Sequence, residues 1–148
     1  MRKIGFLPIA LCFAALPVAA QTPTPQHGLK TGYIAVMVTG EVLPGQSDNF
    51  KQLVPKVVAA VSEEPGTLVY EWSFQPDQKT YNVLEVYQNS ESFAAHAKHL
   101  SSTDLPKELG QVRKTLKAVV FGTPDAQMKE ALARLEPVYT SPIDGFFR

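Results

Sequence analysis

A histidine and a glutamate in two neighbouring predicted elements are the residues best suited to acid–base chemistry. His96 lies in a predicted helix, on the side of Phe93 and Leu100 that should face the sheet. A neutral imidazole there could accept a proton from a phenol or an enediol and return it, whereas a histidine hydrogen-bonded within the core would carry no chemistry. Glu85 lies in the middle of a predicted strand. Facing the helices, it could orient His96 or bind a substrate hydroxyl; facing outward, it would be an ordinary cross-strand charge.

Aromatic side chains accompany these two candidate catalytic residues. Tyr70, Trp72 and Phe74 alternate along one predicted strand and therefore share one face. Tyr87 on the next strand and Phe93 on the helix could extend this aromatic surface. A wall of rings suits a flat aromatic ligand, so these five residues form a candidate substrate site. Such stripes also serve, and more often, as core or as an interface between subunits.

Metal, phosphate and thiol chemistry find no support in the sequence. His99 stands three residues after His96, on an adjacent helical turn, but a metal site would need a third ligand and no acidic cluster accompanies the pair. The sequence holds no phosphate-binding loop, dinucleotide fingerprint or serine nucleophile elbow. Its one cysteine, Cys12, lies in the N-terminal apolar run. We therefore expect no metal site and no catalytic thiol.

The elements that must position these residues alternate between strands and helices. The apolar, β-branched run at 33–43 predicts a mostly buried strand, and a helix follows with its N-cap at Ser47 or Asp48. Pro55 should kink this helix or end it early, because proline removes a backbone hydrogen bond. The same periodicities predict strands at 67–75 and 80–88, a helix opened by Asn89 and Ser90 that buries Phe93, Ala94, Ala97 and Leu100, a helical stretch at 104–116, and a short strand at 118–121.

This order of elements predicts an α+β fold of the ferredoxin-like, split βαβ type, with an antiparallel sheet and helices on one face. The strands carry apolar residues on both faces, so the face without helices needs cover. A second copy of the chain is the simplest cover, and we therefore expect a homodimer with an isologous interface. After the last strand, a helix and a tail should pack on the domain or on a partner subunit; they carry Asp125 as N-cap, Met128, Ala131, Leu132 and Leu135 on one side, and Phe146 and Phe147.

Four short segments follow one another along the chain in an order and spacing typical of a known family. They are Pro44–Gly45 with Phe50, Glu64–Pro65–Gly66–Thr67, Tyr70–Glu71, and Glu85-Val86-Tyr87 followed by His96. Together they resemble the antibiotic biosynthesis monooxygenase (ABM) family, which has the dimeric α/β-barrel fold. The resemblance covers residues 33–122. It implies oxygenation of electron-rich aromatics such as quinols and polyketide phenols without a cofactor, although the family also includes haem-degrading and isomerase-like members. The chain departs from the family pattern because no proline precedes His99 and a C-terminal extension follows the domain.

The N-terminus has the features of a cleavable export signal. Arg2 and Lys3 precede an apolar run that ends at Ala20 in small residues, which predicts Gln21 as the first residue of the mature chain. The run is short for a bilayer span, so we expect a periplasmic or secreted protein with no stable membrane anchor after cleavage. Of 14 basic and 14 acidic residues, cleavage removes two basic ones and leaves 12 against 14. That balance offers no basic excess for binding nucleic acid.

The predicted organisation is a signal peptide at 1–20, a flexible leader at 21–31, an ABM-like domain at 32–122 and a C-terminal helical extension and tail at 123–148. The leading functional hypothesis is a cofactor-independent monooxygenase that acts on a quinol-like or phenolic small molecule outside the cytoplasm. Two alternatives stand beside it: a protein that binds an apolar small molecule without turnover, and an acid–base isomerase that acts on a small hydroxy-ketone. Oxygen consumption would separate the first hypothesis from the other two.

Overall fold

The structure is a computed structural model that describes residues 32–144. The export signal predicted at 1–20, the leader at 21–31, and Phe146 and Phe147 of the tail lie outside the described residues, and these expectations stay predictions. Within residues 32–144, no helix is long and apolar enough to cross a membrane.

One five-stranded sheet and four α-helices make up the described residues. The strands lie in the order β2-β3-β1-β4-β5. The pairs β2–β3, β3–β1 and β1–β4 are antiparallel, and the short β5 pairs parallel to β4. This arrangement confirms the ferredoxin-like α+β prediction. The strands are β1 (Ile34–Val42), β2 (Thr67–Phe74), β3 (Thr80–Tyr87), β4 (Arg113–Phe121) and β5 (Val138–Tyr139); the helices are α1 (Ser47–Val61), α2 (Ser90–Ser101), α3 (Leu105–Val112) and α4 (Ala126–Leu132).

The hydrophobic core lies between the helices and one face of the sheet. Alternate residues of β1 and β3 point into it, and α1 buries residues three or four positions apart, as an amphipathic helix should. The burial of α1 therefore confirms the helical spacing on which it was predicted, and β1 and β3 confirm the two predicted strands. The buried side chains of these three elements include Ile34, Val36 and Val38 from β1, Phe50, Leu53, Val57 and Val61 from α1, and Tyr81, Val83 and Tyr87 from β3.

Pro55 does not end α1, which continues to Val61, so the predicted early break is wrong. Pro55 lies on the exposed side of the helix, as does Lys51, whose carbonyl loses the hydrogen bond that proline cannot donate. Water can satisfy that carbonyl, which makes the proline tolerable there. The predicted N-cap is also wrong by a residue or two: Gln46 caps the helix, without a side-chain hydrogen bond to its backbone.

The boundary between α3 and β4 lies earlier than the sequence predicts. The helix ends at Val112 and the strand begins at Arg113, whereas the prediction continued the helix to 116 and began the strand at 118. A register shift at Thr39/Gly40 of β1 leaves Leu116 as an extra residue in β4, and its side chain is exposed. This bulge interrupts the alternation of inward and outward side chains in β4. The sequence of the first half of the strand therefore does not show the pattern by which a strand is predicted.

Two side chains lie on different faces from those predicted. Leu68 was expected to share the face of Tyr70, but a register shift between Thr67 and Val69 turns it outward, and it is exposed. Ala97 was expected on the inner side of α2 together with His96, but Ala97 is exposed and only His96 is buried. The buried stripe of α2 therefore runs through Phe93 and His96.

The C-terminal extension packs against the domain. Asp125 caps α4 as predicted, since its side chain accepts a hydrogen bond from the backbone N–H of Met128. Met128 and Leu132 are buried, but Ala131 and Leu135 are exposed, so only half of the predicted apolar side is covered. After a short 3-10 turn, β5 pairs with part of the edge of β4. The strand β5 was not predicted from the sequence.

Candidate functional site

The helix-facing side of the sheet carries both Glu85 and the aromatic stripe. Tyr70, Trp72 and Phe74 of β2 pack against the core beneath the helices. Glu85 stands opposite Tyr70 on β2 and opposite the buried Val36 on β1, so it points to the same side. Of the two orientations left open for Glu85, the inward one is therefore the observed one. Strand alternation places the whole set beneath α1 and α2.

His96 is buried against this face. Its side chain is only 7% exposed, and its ring contacts those of Tyr70 and Tyr87, with centroids 5.5 and 5.3 Å away. Its Nδ1 lies 2.8 Å from Oε2 of Glu64. The sequence predicted an inward histidine, but it predicted Glu85 and not Glu64 as the carboxylate that could orient it.

Glu64 is the functional residue that sequence reasoning missed. It lies in the loop between α1 and β2. In the sequence, Glu64–Pro65–Gly66–Thr67 was one of the segments that carry the family resemblance, and no role was assigned to its carboxylate. Its Oε2 also accepts a hydrogen bond from Thr67 Oγ1 at 2.6 Å, and its Oε1 lies 2.8 Å from Nδ1 of His99. One carboxylate thus joins the two histidines of α2. Their separation of three residues, which puts both on one side of a helix, was the available signal.

The charge state of Glu64 follows from these contacts. Burial raises the pKa of its carboxyl, but hydrogen bonds from Thr67, His99 and His96, together with the positive charge that His96 carries when protonated, outweigh burial and hold the pKa below its ordinary value. Glu64 is therefore ionised at neutral pH. An ionised carboxylate only accepts hydrogen bonds, which suits three donors converging on it.

Glu85 has the opposite environment. Glu85 is only partly accessible to solvent, and protein atoms surround its carboxyl group. This burial raises the pKa of the carboxyl. The hydroxyl of Tyr87 donates a 2.8 Å hydrogen bond to its Oε2, and His96 and Arg113 act on it through their charges. Burial, followed by the charge of Glu85, also raises the pKa of Tyr70 and Tyr87 far above the ordinary tyrosine range. Both phenols therefore stay protonated donors.

A second part of the site lies at the other end of β2. A cavity of about 160 Å³ separates α1 from the sheet and is lined mainly by aromatic rings. His96 and Glu85 do not line it. The cavity is connected to them by Tyr70, whose ring lies 6.0 Å from that of Trp72 and 5.5 Å from that of His96. The lining residues are Phe50, Lys51, Val54, Pro55, Trp72, Ser73, Phe74 and Tyr81.

Arg113 stands beside this cavity and was not singled out from the sequence. Its guanidinium carbon lies 5.7 Å from the ring centroids of both Trp72 and Tyr81, and its Nη1 donates to the Tyr81 hydroxyl at 2.9 Å. Nε of Arg113 and Nε1 of Trp72 are buried without hydrogen-bond partners. Burial raises the pKa of the Tyr70 hydroxyl, and the nearby indole N–H of Trp72 opposes this effect. The two groups do not have the geometry of a hydrogen bond.

The predicted site residues thus fall into three settings. His96, Glu85, Tyr70 and Tyr87 lie together and are named here, with Glu64, the acid–base cluster. Trp72 and Phe74 line the aromatic cavity. Phe93 packs edge-on against Tyr87 with centroids 5.4 Å apart and belongs to the core beside the cluster.

The outer edge of the acid–base cluster opens on a groove. Glu64 and His99 both line this groove, whose volume is about 640 Å³, and the side chain of His99 is 40% exposed. Two further glutamates, Glu63 and Glu91, lie along it. Across residues 32–144, no group of three or more histidine, aspartate or glutamate side chains could hold a metal ion.

Comparison with known proteins bears on the family and the fold. Residues 33–105 match the family model described as antibiotic biosynthesis monooxygenase. No curated protein sequence matches the chain significantly. MupZ from Pseudomonas fluorescens is a similar solved structure, 21% identical, with a TM-score of 0.70 over 80% of this chain and 96% of that chain. SnoaB from Streptomyces nogalater, a cofactor-independent oxygenase, is 12% identical, with a TM-score of 0.56 over 65% of this chain and 97% of that chain. At these identities, the two structures establish a shared fold.

Proposed function

Because the chain belongs, through residues 33–105, to the antibiotic biosynthesis monooxygenase family, we propose that it is a monooxygenase acting on a quinol-like or phenolic small molecule. The observation that carries this proposal is the buried His96, which is held by an ionised carboxylate and faces two tyrosine rings. A neutral imidazole in that setting is a suitable general base for a phenolic hydroxyl. The location outside the cytoplasm stays a prediction from residues 1–20.

The chemistry needs one base and dioxygen. His96 takes the proton of the substrate hydroxyl, which leaves an electron-rich anion that reacts with dioxygen at a ring carbon. One oxygen atom stays on that carbon and the other leaves in water, so that a quinol and dioxygen give a hydroxyquinone and water. The substrate supplies all the electrons, and no external reductant takes part. The proton on His96 is returned to the departing oxygen atom.

The substrate ring is proposed to bind in the aromatic cavity. An engineered apolar cavity of about 150 Å³ binds benzene, so a cavity of about 160 Å³ matches a single aromatic ring. Tyr70 stands between this cavity and His96, in ring contact with Trp72 on one side and His96 on the other. The substrate therefore reaches the base by displacing the Tyr70 side chain.

A homodimer is proposed as the working form. The sheet face away from the helices has no cover from residues 32–144 over its apolar side chains, of which Val69 and Phe121 are 38% and 40% exposed. Such a face favours docking of an identical face about a two-fold axis. The apolar side chains on this open sheet face are Met37, Val69, Leu84, Val86, Val119 and Phe121, with the buried Ala35 between them.

The test is oxygen consumption by the chain from Gln21 onward on a panel of one-ring and fused-ring quinols and phenols. We expect turnover of a one-ring member, and a loss of about 100-fold or more in kcat for His96→Gln, the usual range for a lost general base. His27→Gln, outside the described residues, is the matched histidine control. Equal rates in wild type and His96→Gln would remove His96 from the mechanism.

Two other outcomes would favour the alternative functions. A panel member that binds but is never consumed would favour a binding protein. Exchange of substrate protons with solvent, without oxygen uptake, would favour isomerase chemistry.

A further inference from the structure

We infer that Glu64 is a positioning residue that holds both His96 and His99 in the tautomer with the proton on Nδ1, so that Nε2 of His96 is the nitrogen that accepts the substrate proton. The role of His96 as a base rests on the proposed function. The tautomers of the two rings do not, because they follow from contacts within the folded chain.

The geometry of the Glu64 carboxylate carries this inference. Its two oxygens each face an Nδ1 atom at 2.8 Å, Oε2 that of His96 and Oε1 that of His99. Because an ionised carboxylate has no proton to donate, both Nδ1 atoms must carry one. The low pKa of Glu64 is consistent with this charge state. In a neutral imidazole with Nδ1–H, the lone pair is on Nε2.

Glu64 is held in place on several sides. Thr67 Oγ1 donates to the same Oε2 that faces His96, at 2.6 Å, and the backbone N–H of Thr67 donates to the Glu64 carbonyl at 3.2 Å. The Glu64 side chain is only 11% exposed. His99, on the groove side, fixes the remaining oxygen and thereby keeps the carboxylate plane turned toward α2.

Glu85 does not compete for this role. Its hydrogen bond comes from the Tyr87 hydroxyl, and it acts on His96 through charge without a direct hydrogen bond in the structure. Because Nδ1 of His96 is bound to Glu64, which lines the groove, Nε2 is the ring nitrogen that this contact leaves free. The carboxylate that orients the base is therefore on the loop before β2, and the carboxyl on β3 has a different task.

The experiment is nitrogen-15 NMR of the imidazoles at a pH where they are neutral. The sequence has only three histidines, so single substitutions assign every ring. Protonated and unprotonated ring nitrogens have well-separated shifts, and we expect His96 and His99 both to carry the proton on Nδ1. A wild-type spectrum with the proton on Nε2 of His96 would overturn the inference without any variant.

Glu64→Gln sharpens the test because an amide has one acceptor and one donor side. The side-chain oxygen can accept from only one Nδ1–H, and the NH₂ group must face a lone pair, so we expect one ring to switch its proton to Nε2. Glu91→Gln, a glutamate of the same groove that contacts neither ring, is the control and should leave both tautomers unchanged. Retention of both Nδ1–H tautomers in a folded Glu64→Gln would contradict the inference.

Activity then links the tautomer to catalysis. If His96 is the ring that switches, kcat should fall about as far as in His96→Gln, with little change in KM; if His99 switches, the loss of kcat should be smaller than in His96→Gln. A large loss of kcat while His96 keeps its Nδ1–H tautomer would refute the positioning role. Absence of turnover in the wild type would count against the proposed function alone, because the NMR result stands without a substrate.

Discussion

Two carboxyl groups act on one imidazole, and their surroundings shift their pKa values in opposite directions. Glu64 collects hydrogen bonds from Thr67, His99 and His96 and stays ionised, whereas burial raises the pKa of Glu85. Paired groups with diverging pKa values are the usual basis for separate acid and base roles in one site. Here the ionised member supports the imidazole, and the member whose pKa is raised by burial lies beside the two tyrosines.

The raised pKa of Glu85 predicts a pH dependence of stability. From the ordinary carboxyl value of 4.5 up to its higher value in the folded state, the folded chain keeps a proton that the unfolded chain has lost. Folding stability must therefore fall as pH rises through that window. Glu85→Gln keeps an oxygen that can accept the Tyr87 hydrogen bond and cannot ionise. We expect the variant to gain stability relative to wild type as pH rises, by about 1.4 kcal/mol for each pH unit between the unfolded and folded pKa values.

Urea unfolding at a series of pH values measures this difference. Glu64 contributes a slope of opposite sign to the dependence of stability on pH. Its stabilisation is present above the ordinary carboxyl pKa and is lost as pH falls through the lower pKa of the folded state. Because Glu64 is present in both proteins, its contribution cancels in the difference between them. Glu71→Gln, on the same sheet but exposed, is the control. A difference between Glu85→Gln and wild type that does not change with pH would show that burial does not perturb this carboxyl.

At the scale of elements, the loop between α1 and β2 sets the position of Glu64 relative to α2. A Cβ on Gly66 would lie 2.6 Å from Cβ of Ser92, in the first turn of α2, and closer still to its Oγ. Only glycine permits the loop to approach the helix this closely. The turn therefore does more than reverse the chain, because it brings a carboxylate within reach of two histidines.

Gly66→Ala should consequently disturb both stability and site. We expect a loss of about 1–3 kcal/mol, the usual cost of overpacking, because the clash with Ser92 Cβ cannot be relieved by rotating a side chain. Nitrogen-15 spectra of His96 and His99 should change as Glu64 moves away. Gly110→Ala, in α3 with open space around its Cβ, is the control and should stabilise by about 0.5–1 kcal/mol.

A double mutant isolates the contact. Ser92→Gly removes the atoms that an alanine at position 66 would meet, at its own cost of about 1 kcal/mol as a helical glycine. The double variant should therefore lose less stability than the sum of the two single variants. Strict additivity would mean that Ser92 is not what excludes a side chain at Gly66.

The elements could be predicted from the sequence where periodicity was unbroken. The apolar run of β1, the helical spacing of α1 and the alternation of β2 predicted these elements correctly. Within β2, only Leu68 lies on the other face, where a bulge interrupts the alternation. The position of Glu64 beside His96 could not be derived, because it depends on a loop–helix approach between residues 32 positions apart in the chain. For the same reason, the sequence left open whether His96 shares a pocket with the aromatic stripe. In the structure, Tyr70 stands between His96 and the cavity that Trp72 and Phe74 line.

At the scale of the whole molecule, the two faces of the sheet carry different kinds of side chains. The helix side carries the acid–base cluster and the aromatic cavity, and the other side presents half-buried and exposed apolar residues from β1 to β4. The C-terminal extension pairs β5 with Val119 and Val120, which covers part of the edge of β4, and β2 forms the other edge of the sheet. Because the apolar side chains lie on the open sheet face, association through that face is the expected mode.

Leu84→Glu tests that mode because Leu84 stands on the open sheet face, opposite Met37 of β1 and Glu71 of β2. A two-fold axis would bring the new carboxylate of each subunit into the same apolar interface, where it would lack a partner. We expect sedimentation analysis to show a dimer for the wild type and a folded monomer, or at least tenfold weaker association, for the variant. Ala59→Glu adds the same charge on the exposed side of α1 and should remain dimeric. A monomeric wild type, or a Leu84→Glu protein that associates as tightly as wild type, would mean that the open sheet face is not the subunit interface.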